Sequence, residues 1–262
     1  MIRLFLRRVR ATAGLAGFLL AAGISLPFSR RLPWRRAGDV AAWAALLWGF
    51  GLRIRCHGAP ARGGAVLHVA NHVSWTDIVV LGRLLDAGFV AKSEVGGWPV
   101  IGALTKAYGC LLVDRERRGE AGRQAGDLAA HLQGARGLIL FAEGTTGPGD
   151  AVLPFRSSLF AMVAGAGGGQ VQPVTIRYAH ADGTPLLPAQ RRAVAWMDDD
   201  ALVPHALALA DRGGLMVDVW FEAPLCARHF ANRKALARAC EAAIGGRLAG
   251  QAAPDLPGAA PI

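Results

Sequence analysis

The sequence predicts an α/β fold with a mostly parallel central sheet flanked by helices, preceded by a membrane-associated helical hairpin. Three observations carry that expectation. From Leu52 onward, short runs rich in Val, Leu and Ile alternate with longer stretches of helical periodicity, the pattern of βαβ units. At 262 residues the chain can bury a sizeable core within one such domain. Apolar residues make up 53% of the chain and charged residues 18%, an excess over typical soluble proteins that must face lipid or a partner.

The hairpin comes first. "MIRLFLRRVR" leads into Ala11 to Phe28, eighteen residues without a charge, which as a helix would measure about 27 Å and be borderline for a membrane span. A basic segment before an apolar one also resembles a signal peptide. Against cleavage stand Arg30, Arg31, Arg35 and Arg36, which follow at once, and a second apolar run, "VAAWAALLWGFGL". Basic residues flank the first run on both sides, so charge gives no transmembrane orientation. A hairpin dipping into the cytoplasmic leaflet, with Trp34, Trp43 and Trp48 near the interface, fits both flanks better. Residues 1–52 are accordingly assigned to an anchor, 53–248 to the α/β domain, and 249–262 to a Pro-rich tail expected to be disordered.

Within the domain "LRIRCHG" and "AVLHVAN" read as strands, followed by a helix from about Trp75 to Asp86 and the strand "GFVAK". A helix from about Val95 to Thr105 leads to the strand "CLLVD", a polar helix through Leu128 and His131, and the strand "GLILFAE". Next come "VQPVTIRYA" and "RRAVAWM" as strands, a helix from about Ala201 to Arg212, the strand "LMVDVWFE" and a last helix from about Ala231 to Leu248. "GAGGGQ", Gly165 to Gln170, lacks the third glycine of a dinucleotide fingerprint and reads as a helix stop. In a largely parallel sheet the ligand belongs at the carboxyl ends of the strands.

Charge and cysteines narrow the classes. The net charge of +10 comes from 29 Lys and Arg against 19 Asp and Glu, with Lys92, Lys106 and Lys234 the only lysines. Such a balance suits either nucleic acid or an anionic leaflet. No nucleic-acid module is recognisable, and tryptophans cluster in the anchor rather than among the basic residues of the core, so no nucleic-acid partner is expected. Cys56, Cys110, Cys226 and Cys240 are scattered, which predicts neither a disulfide framework nor a metal site.

The stretch "NHVSWTD", Asn71 to Asp77, is where chemistry first suggests itself. Ser74 and Asp77 match a capping box, which would make both residues simply the start of a helix. On a continuous helix, residues five apart point about 140° away from each other, so His72 and Asp77 could not meet. With His72 in the turn and Asp77 in the first helical turn, the carboxylate can reach the imidazole. The same capping geometry therefore builds a His–Asp dyad, which fixes the tautomer and stabilises an imidazolium. No nucleophile elbow or catalytic cysteine signature accompanies it. Such a dyad suits direct transfer, in which His72 deprotonates the substrate's own hydroxyl.

A second group lies in "LILFAEGTTGPGDAVLPFRSSLFAM". There a strand delivers Glu143 into the loop Gly144-Thr145-Thr146-Gly147, where glycines allow close backbone approach and hydroxyls can bind polar groups. Lys92 and Arg115, each just past a short strand, can serve as anion ligands or as solvated surface charges.

Together these segments resemble the glycerolipid acyltransferases, the group that includes 1-acylglycerol-3-phosphate acyltransferase. "NHVSWTD" matches their NHxxxxD block, "GCLLVDR" resembles the second block, "FAEGT" the third, usually FPEGT, and "VQPVTI" the fourth. The blocks fall in family order from Asn71 to Ile176, and the resemblance extends over Arg3 to Leu248. It implies a lysolipid acceptor, an acyl-CoA or acyl-carrier-protein donor with no further cofactor, and a site at the cytoplasmic membrane face. It also implies His72 as general base, Asp77 as its orienting partner, and Glu143 with Gly144 shaping the acceptor and oxyanion region. Thr145 and Thr146 would line the same loop, with Arg115 and Lys92 near a head-group anion. Two departures stand out: Ala142 replaces the usual proline, and Thr146 replaces the arginine of EGTR that is thought to hold the acceptor phosphate. The string "EGTTGPGDAVLPFRSSLF" looks more like the branch that acylates lyso-ornithine lipid, or other lysolipids lacking a terminal phosphomonoester. Two acceptors thus stand open, a 1-acylglycerol-3-phosphate-type lysophospholipid and lyso-ornithine lipid. A membrane-anchored lipid-binding protein without turnover is the non-enzyme alternative, opposed by the intact His72, Asp77 and Glu143.

Overall fold

The computed structural model describes residues 1–25, 33–61, 66–97, 101–113, 137–164, 169–197 and 200–250. Arg115 and the helix expected through Leu128 and His131 lie outside them, as does the expected tail from residue 251 on. The chain begins with two helices, α1 (Ile2–Ser25) and α2 (Pro33–Phe50). They pack closely enough that a Cβ on Gly14 would stand 2.6 Å from the main chain of Ala45 and Gly49, a contact that only a glycine permits. Among the described residues no helix is long and apolar enough to cross a membrane. The outer side of α1 nevertheless leaves Phe5, Leu20 and Ile24 exposed, an apolar surface with no covering element among the described residues.

The sheet follows: β1 (Leu52–His57), β2 (Val66–Ala70), β3 (Ala87–Lys92), β4 (Leu111–Val113), β5 (Gly137–Phe141), β6 (Gln170–His180), β7 (Leu215–Phe221) and β8 (Leu225–Cys226). Their spatial order is β1-β7-β6-β2-β5-β3-β4, with β8 paired to β6. All pairings are parallel except those of β6 with β7 and β8. The sequence expectation of a mostly parallel sheet flanked by helices is met. Every residue of β2 is buried, as a near-continuous apolar strand in a sheet covered on both faces should be.

The period of two in β6 and β7 divides the core. Val174, Ile176, Val217 and Val219 face one cluster with Phe18, Trp43 and Leu46 of the hairpin and Leu81 of α3 (Thr76–Leu84). Leu67, Leu138 and Val171 face a second, completed by Phe160 and by Leu236 and Cys240 of the last helix, Arg233–Leu248. The hairpin is thus built into the first cluster as well as exposing its outer side. Polar ties reinforce it: Arg36 Nη1 donates to Gly82 O at 3.1 Å, and Arg8 pairs with Asp211 at 2.8 Å.

Local differences from expectation have local causes. "RRAVAWM" is not a strand: Pro188–Arg192 forms a short helix and the chain then turns. Proline presets the first turn, the Gln190 side chain accepts from Leu187 N at 2.8 Å, and Val194 and Ala195 are apolar because they plug the core. The helix expected from Val95 to Thr105 is a 3₁₀ turn, Ser93–Gly97, and a helix α4, Ile101–Ala107, with residues 98–100 outside the described set. The Gly-rich segment lies between a short helix ending at Ala164 and the start of β6, and residues 165–168 are outside the described set.

Candidate active site

At the carboxyl end of β2 the chain leaves the sheet under tight control. Asn71 imitates a further residue of strand pairing, its Nδ2 donating to Ile176 O at 2.9 Å and its Oδ1 accepting from Ile176 N at 2.8 Å. His72 then stands free of the ladder, yet its main chain is held on both sides: its N–H donates to Glu143 Oε1 at 2.9 Å, and its carbonyl accepts from Gly147 N at 2.7 Å. Val73 O accepts from Trp196 N at 2.9 Å.

Asp77, in the first turn of α3, closes the turn. Its Oδ2 accepts from His72 Nδ1 at 2.8 Å, Val73 N at 2.7 Å and Ser74 N at 2.9 Å. The capping box is therefore half formed, because the acid reaches back to the main chain while the buried Ser74 hydroxyl has no partner. With Nδ1 given to a carboxylate, the neutral imidazole keeps its lone pair on Nε2. That nitrogen has no hydrogen-bond partner among the described residues, and the His72 side chain is 15% exposed. The ring lies on Phe141, the last residue of β5, at 3.9 Å between centroids and 12° between planes, so it is fixed from below as well as from Nδ1.

Tyr178 completes the support and was not singled out by sequence reasoning. Its hydroxyl donates to Asp77 Oδ1 at 2.6 Å and accepts from Thr76 Oγ1 at 2.6 Å. Burial, with Asp77 beside it, raises the phenol well above its ordinary value, which keeps it a donor. The available signal was its position two residues after Ile176 on the face of β6 that meets α3, where a buried phenol needs a polar partner.

Glu143 follows the end of β5, with Gly144 N donating back to Phe141 O at 3.1 Å to close the turn. The residue is buried, and both carboxylate oxygens serve main-chain donors, His72 N for Oε1 and Leu153 N at 3.1 Å for Oε2. Burial pushes its carboxyl up to about 7, with Asp77 and Glu241 adding to the rise and the two N–H donors opposing it. Thr145 is exposed, whereas the Thr146 hydroxyl donates to the carbonyl of Trp196. Lys92 ends β3 on the same sheet edge, separated from β2 by β5, and pairs with Glu94 at 2.6 Å on the surface. Asp77, Glu143, Gly144 and Thr146 thus gather around His72 through hydrogen bonds or chain adjacency, whereas Lys92 stands two strands away on β3. Among the described residues no group of three or more His, Cys, Asp or Glu side chains could hold a metal ion.

Comparison with known proteins bears on this geometry. Residues 53–177 match the sequence model of the Acyltransferase family. The chain is 40% identical to the lyso-ornithine lipid O-acyltransferase of Rhizobium meliloti, over 72% of this chain and 66% of that protein. It is 35% identical to the lyso-ornithine lipid O-acyltransferase of Pseudomonas aeruginosa, over 97% of this chain and 96% of that one. Its fold is similar to the crystal structure of the 1-acyl-sn-glycerophosphate acyltransferase of Thermotoga maritima, with TM-score 0.65 and 18% identity over 95% of this chain and 96% of that one.

Proposed function

The chain belongs to the acyltransferase family, and from that premise we propose that it transfers a fatty acyl group to the free hydroxyl of lyso-ornithine lipid at the cytoplasmic surface of the membrane. The observation that carries the chemistry is the chain Thr76–Tyr178–Asp77–His72, which ends in an imidazole nitrogen with no partner among the described residues. A general base held in one tautomer, with no nucleophile of its own, suits direct attack by the acceptor.

In this reading His72 Nε2 takes the proton of the acceptor hydroxyl as that oxygen attacks the carbonyl of an acyl thioester. The donor is acyl-CoA or acyl-carrier protein. A carbon–oxygen bond forms, the carbon–sulfur bond breaks, and the imidazolium returns its proton to the departing thiolate, so the products are an ester and a free thiol. Asp77 stabilises the imidazolium without itself taking the proton. Glu143 acts through His72 by holding its main chain, while Gly144, Thr145 and Thr146 form the wall beside the reacting atoms. Lys92 and Arg115 remain candidates for the donor's or acceptor's anionic groups.

The acceptor assignment rests on relatives named as lyso-ornithine lipid O-acyltransferases and on Thr146, which offers a hydroxyl already bound to Trp196 where a phosphomonoester dianion would want a forked guanidinium. Membrane attachment rests on the exposed apolar side of α1, which suits a helix lying in the interface better than one crossing the bilayer. A cytoplasmic location follows from the proposed donors, which are made there. The test is kcat/KM for lyso-ornithine lipid and for lysophosphatidic acid with one acyl donor. The account expects lyso-ornithine lipid to be the better acceptor; a strong preference for lysophosphatidic acid would return the chain to the phosphatidic acid branch.

A further inference from the structure

A second site lies away from His72. Where the hairpin meets the sheet, a groove of about 390 Å³ is lined by Arg10 of α1, Leu47 and Trp48 of α2, Gly51, and Leu52 and Arg53 of β1. We infer that this groove holds the phosphate of one anionic glycerophospholipid, such as phosphatidylglycerol, as a structural lipid distinct from the acyl acceptor.

The charges point to an anion. Arg8, Arg55 and Arg247 each have a carboxylate at 2.8, 2.5 and 2.7 Å. Arg10 and Arg53, by contrast, pair with no acid among the described residues. Arg10 gives Nε to Gly49 O at 3.2 Å and leaves Nη2 buried with no hydrogen-bond partner among the described residues. Its guanidinium lies close against Gly51, where a Cβ would stand 2.5 Å from Nη2. An unsatisfied buried donor on a guanidinium is costly, and the exposed Arg53 adds a second positive charge to the same groove, which an anion between the two would offset.

The surroundings select a lipid among anions. Trp48 is 58% exposed on the groove wall, and Phe5, Leu6 and Val9 of α1 are exposed nearby along the same helix as Arg10. An indole beside a cation and an apolar strip suits the head-group layer of a bilayer. Topology sets the direction of the opening: the amino ends of β1 and β7 lie together, and β7 runs antiparallel to β6, which runs parallel to β2. The groove therefore opens on the same edge of the sheet as His72. It is three strand intervals away in the order β1-β7-β6-β2, about 14 Å or more, too far for a head group seated there to be the one reacting at His72.

This inference rests on the membrane-surface reading above, so the test separates the two. Native mass spectrometry of the full chain in a non-ionic detergent, with no acyl donor present, would measure retention of phosphatidylglycerol, with phosphatidylcholine as the zwitterionic comparison. The expected result is one phosphatidylglycerol per chain, retention at least tenfold lower in R10Q/R53Q, and no change in R228Q/R233Q, which removes two exposed arginines elsewhere. Arg53→Gln alone, at an exposed residue whose side chain has no hydrogen bond or ion pair among the described residues, keeps the test valid if the double variant folds poorly, and should lower retention severalfold. Acyl transfer to detergent-dispersed lysolipid, measured on the same samples, should be unchanged; its loss in the wild type would count against the catalytic reading and not against the groove. Equal retention in R10Q/R53Q, or equal loss in R228Q/R233Q, would overturn the site, and complete displacement by millimolar inorganic phosphate would make it a free-phosphate site.

Discussion

Tyr178→Phe removes one hydroxyl from the buried chain that ends at His72, and its consequences can be worked out from the bonds. The lost bond is a 2.6 Å donation to Asp77 Oδ1. That oxygen is then buried without a donor, because Asp77 is fully buried and its other contacts converge on Oδ2. Losing a hydrogen bond to a charged group costs about 1.5–3 kcal/mol, which for a chain of this size is a fall in Tm of roughly 3–12 °C. The effect on rate should be smaller than removing the acid, since Oδ2 still holds His72 Nδ1 in place. We expect kcat to fall about tenfold, equal to about 1.4 kcal/mol, against about 10²- to 10⁴-fold for Asp77→Asn. KM should stay within twofold, because Tyr178 is buried and its hydroxyl is already bonded to Asp77 and Thr76. Adding Thr76→Val to Tyr178→Phe should cost little more, because Thr76 acts on Asp77 through the phenol. The assay is steady-state transfer of a labelled acyl group at saturating donor, with Tm measured on the same preparations. A lowered Tm with unchanged kcat would make Tyr178 a core residue only, and a rise in KM with kcat intact would place it at the substrate.

The remaining predictions follow from neighbouring observations. Glu143 has a folded value of about 7 against an ordinary 4.5. A raised value means its stabilising contribution is full below about pH 4.5 and is lost as pH rises through 7. Glu143→Gln should therefore flatten the dependence of the urea midpoint on pH between 5 and 8, and an unaltered slope would contradict the buried carboxyl. Thr146→Arg should shift the ratio of kcat/KM toward lysophosphatidic acid by about tenfold; no shift would mean that this loop position does not read the head group. Deleting residues 1–50 should leave aggregated protein, since it strips Phe18, Trp43 and Leu46 from the core as well as the apolar side of α1; a monodisperse, cooperative truncation product in sedimentation and melting would contradict that.

Legibility in the sequence varied with the range of the interaction. Apolar runs gave β2, β5, β6 and β7, because a strand covered on both faces leaves a mark in its own residues. "RRAVAWM" misled because its apolar residues are buried by tertiary contacts of a turn, which local periodicity does not distinguish from a strand. The meeting of His72 and Asp77 was legible because five residues across a turn is a local geometry. Tyr178 was not, since it reaches Asp77 from 101 positions away through strand pairing. The two contacts by which Glu143 and Trp196 hold the His72 turn likewise depend on the sheet bringing separate loops together. The hairpin's apolar content was plain, but how it divides between the core and the outer side of α1 depends on where the sheet lies.

The most direct test of the account is the single-turnover rate of acyl transfer from an acyl thioester to lyso-ornithine lipid by wild type and by His72→Ala, with folding matched by Tm. General-base catalysis at Nε2 predicts a loss of about 10²- to 10⁴-fold with little change in Tm, since the imidazole is partly exposed and its main chain remains held by Glu143 and Gly147. More than half of the wild-type rate in His72→Ala would contradict it.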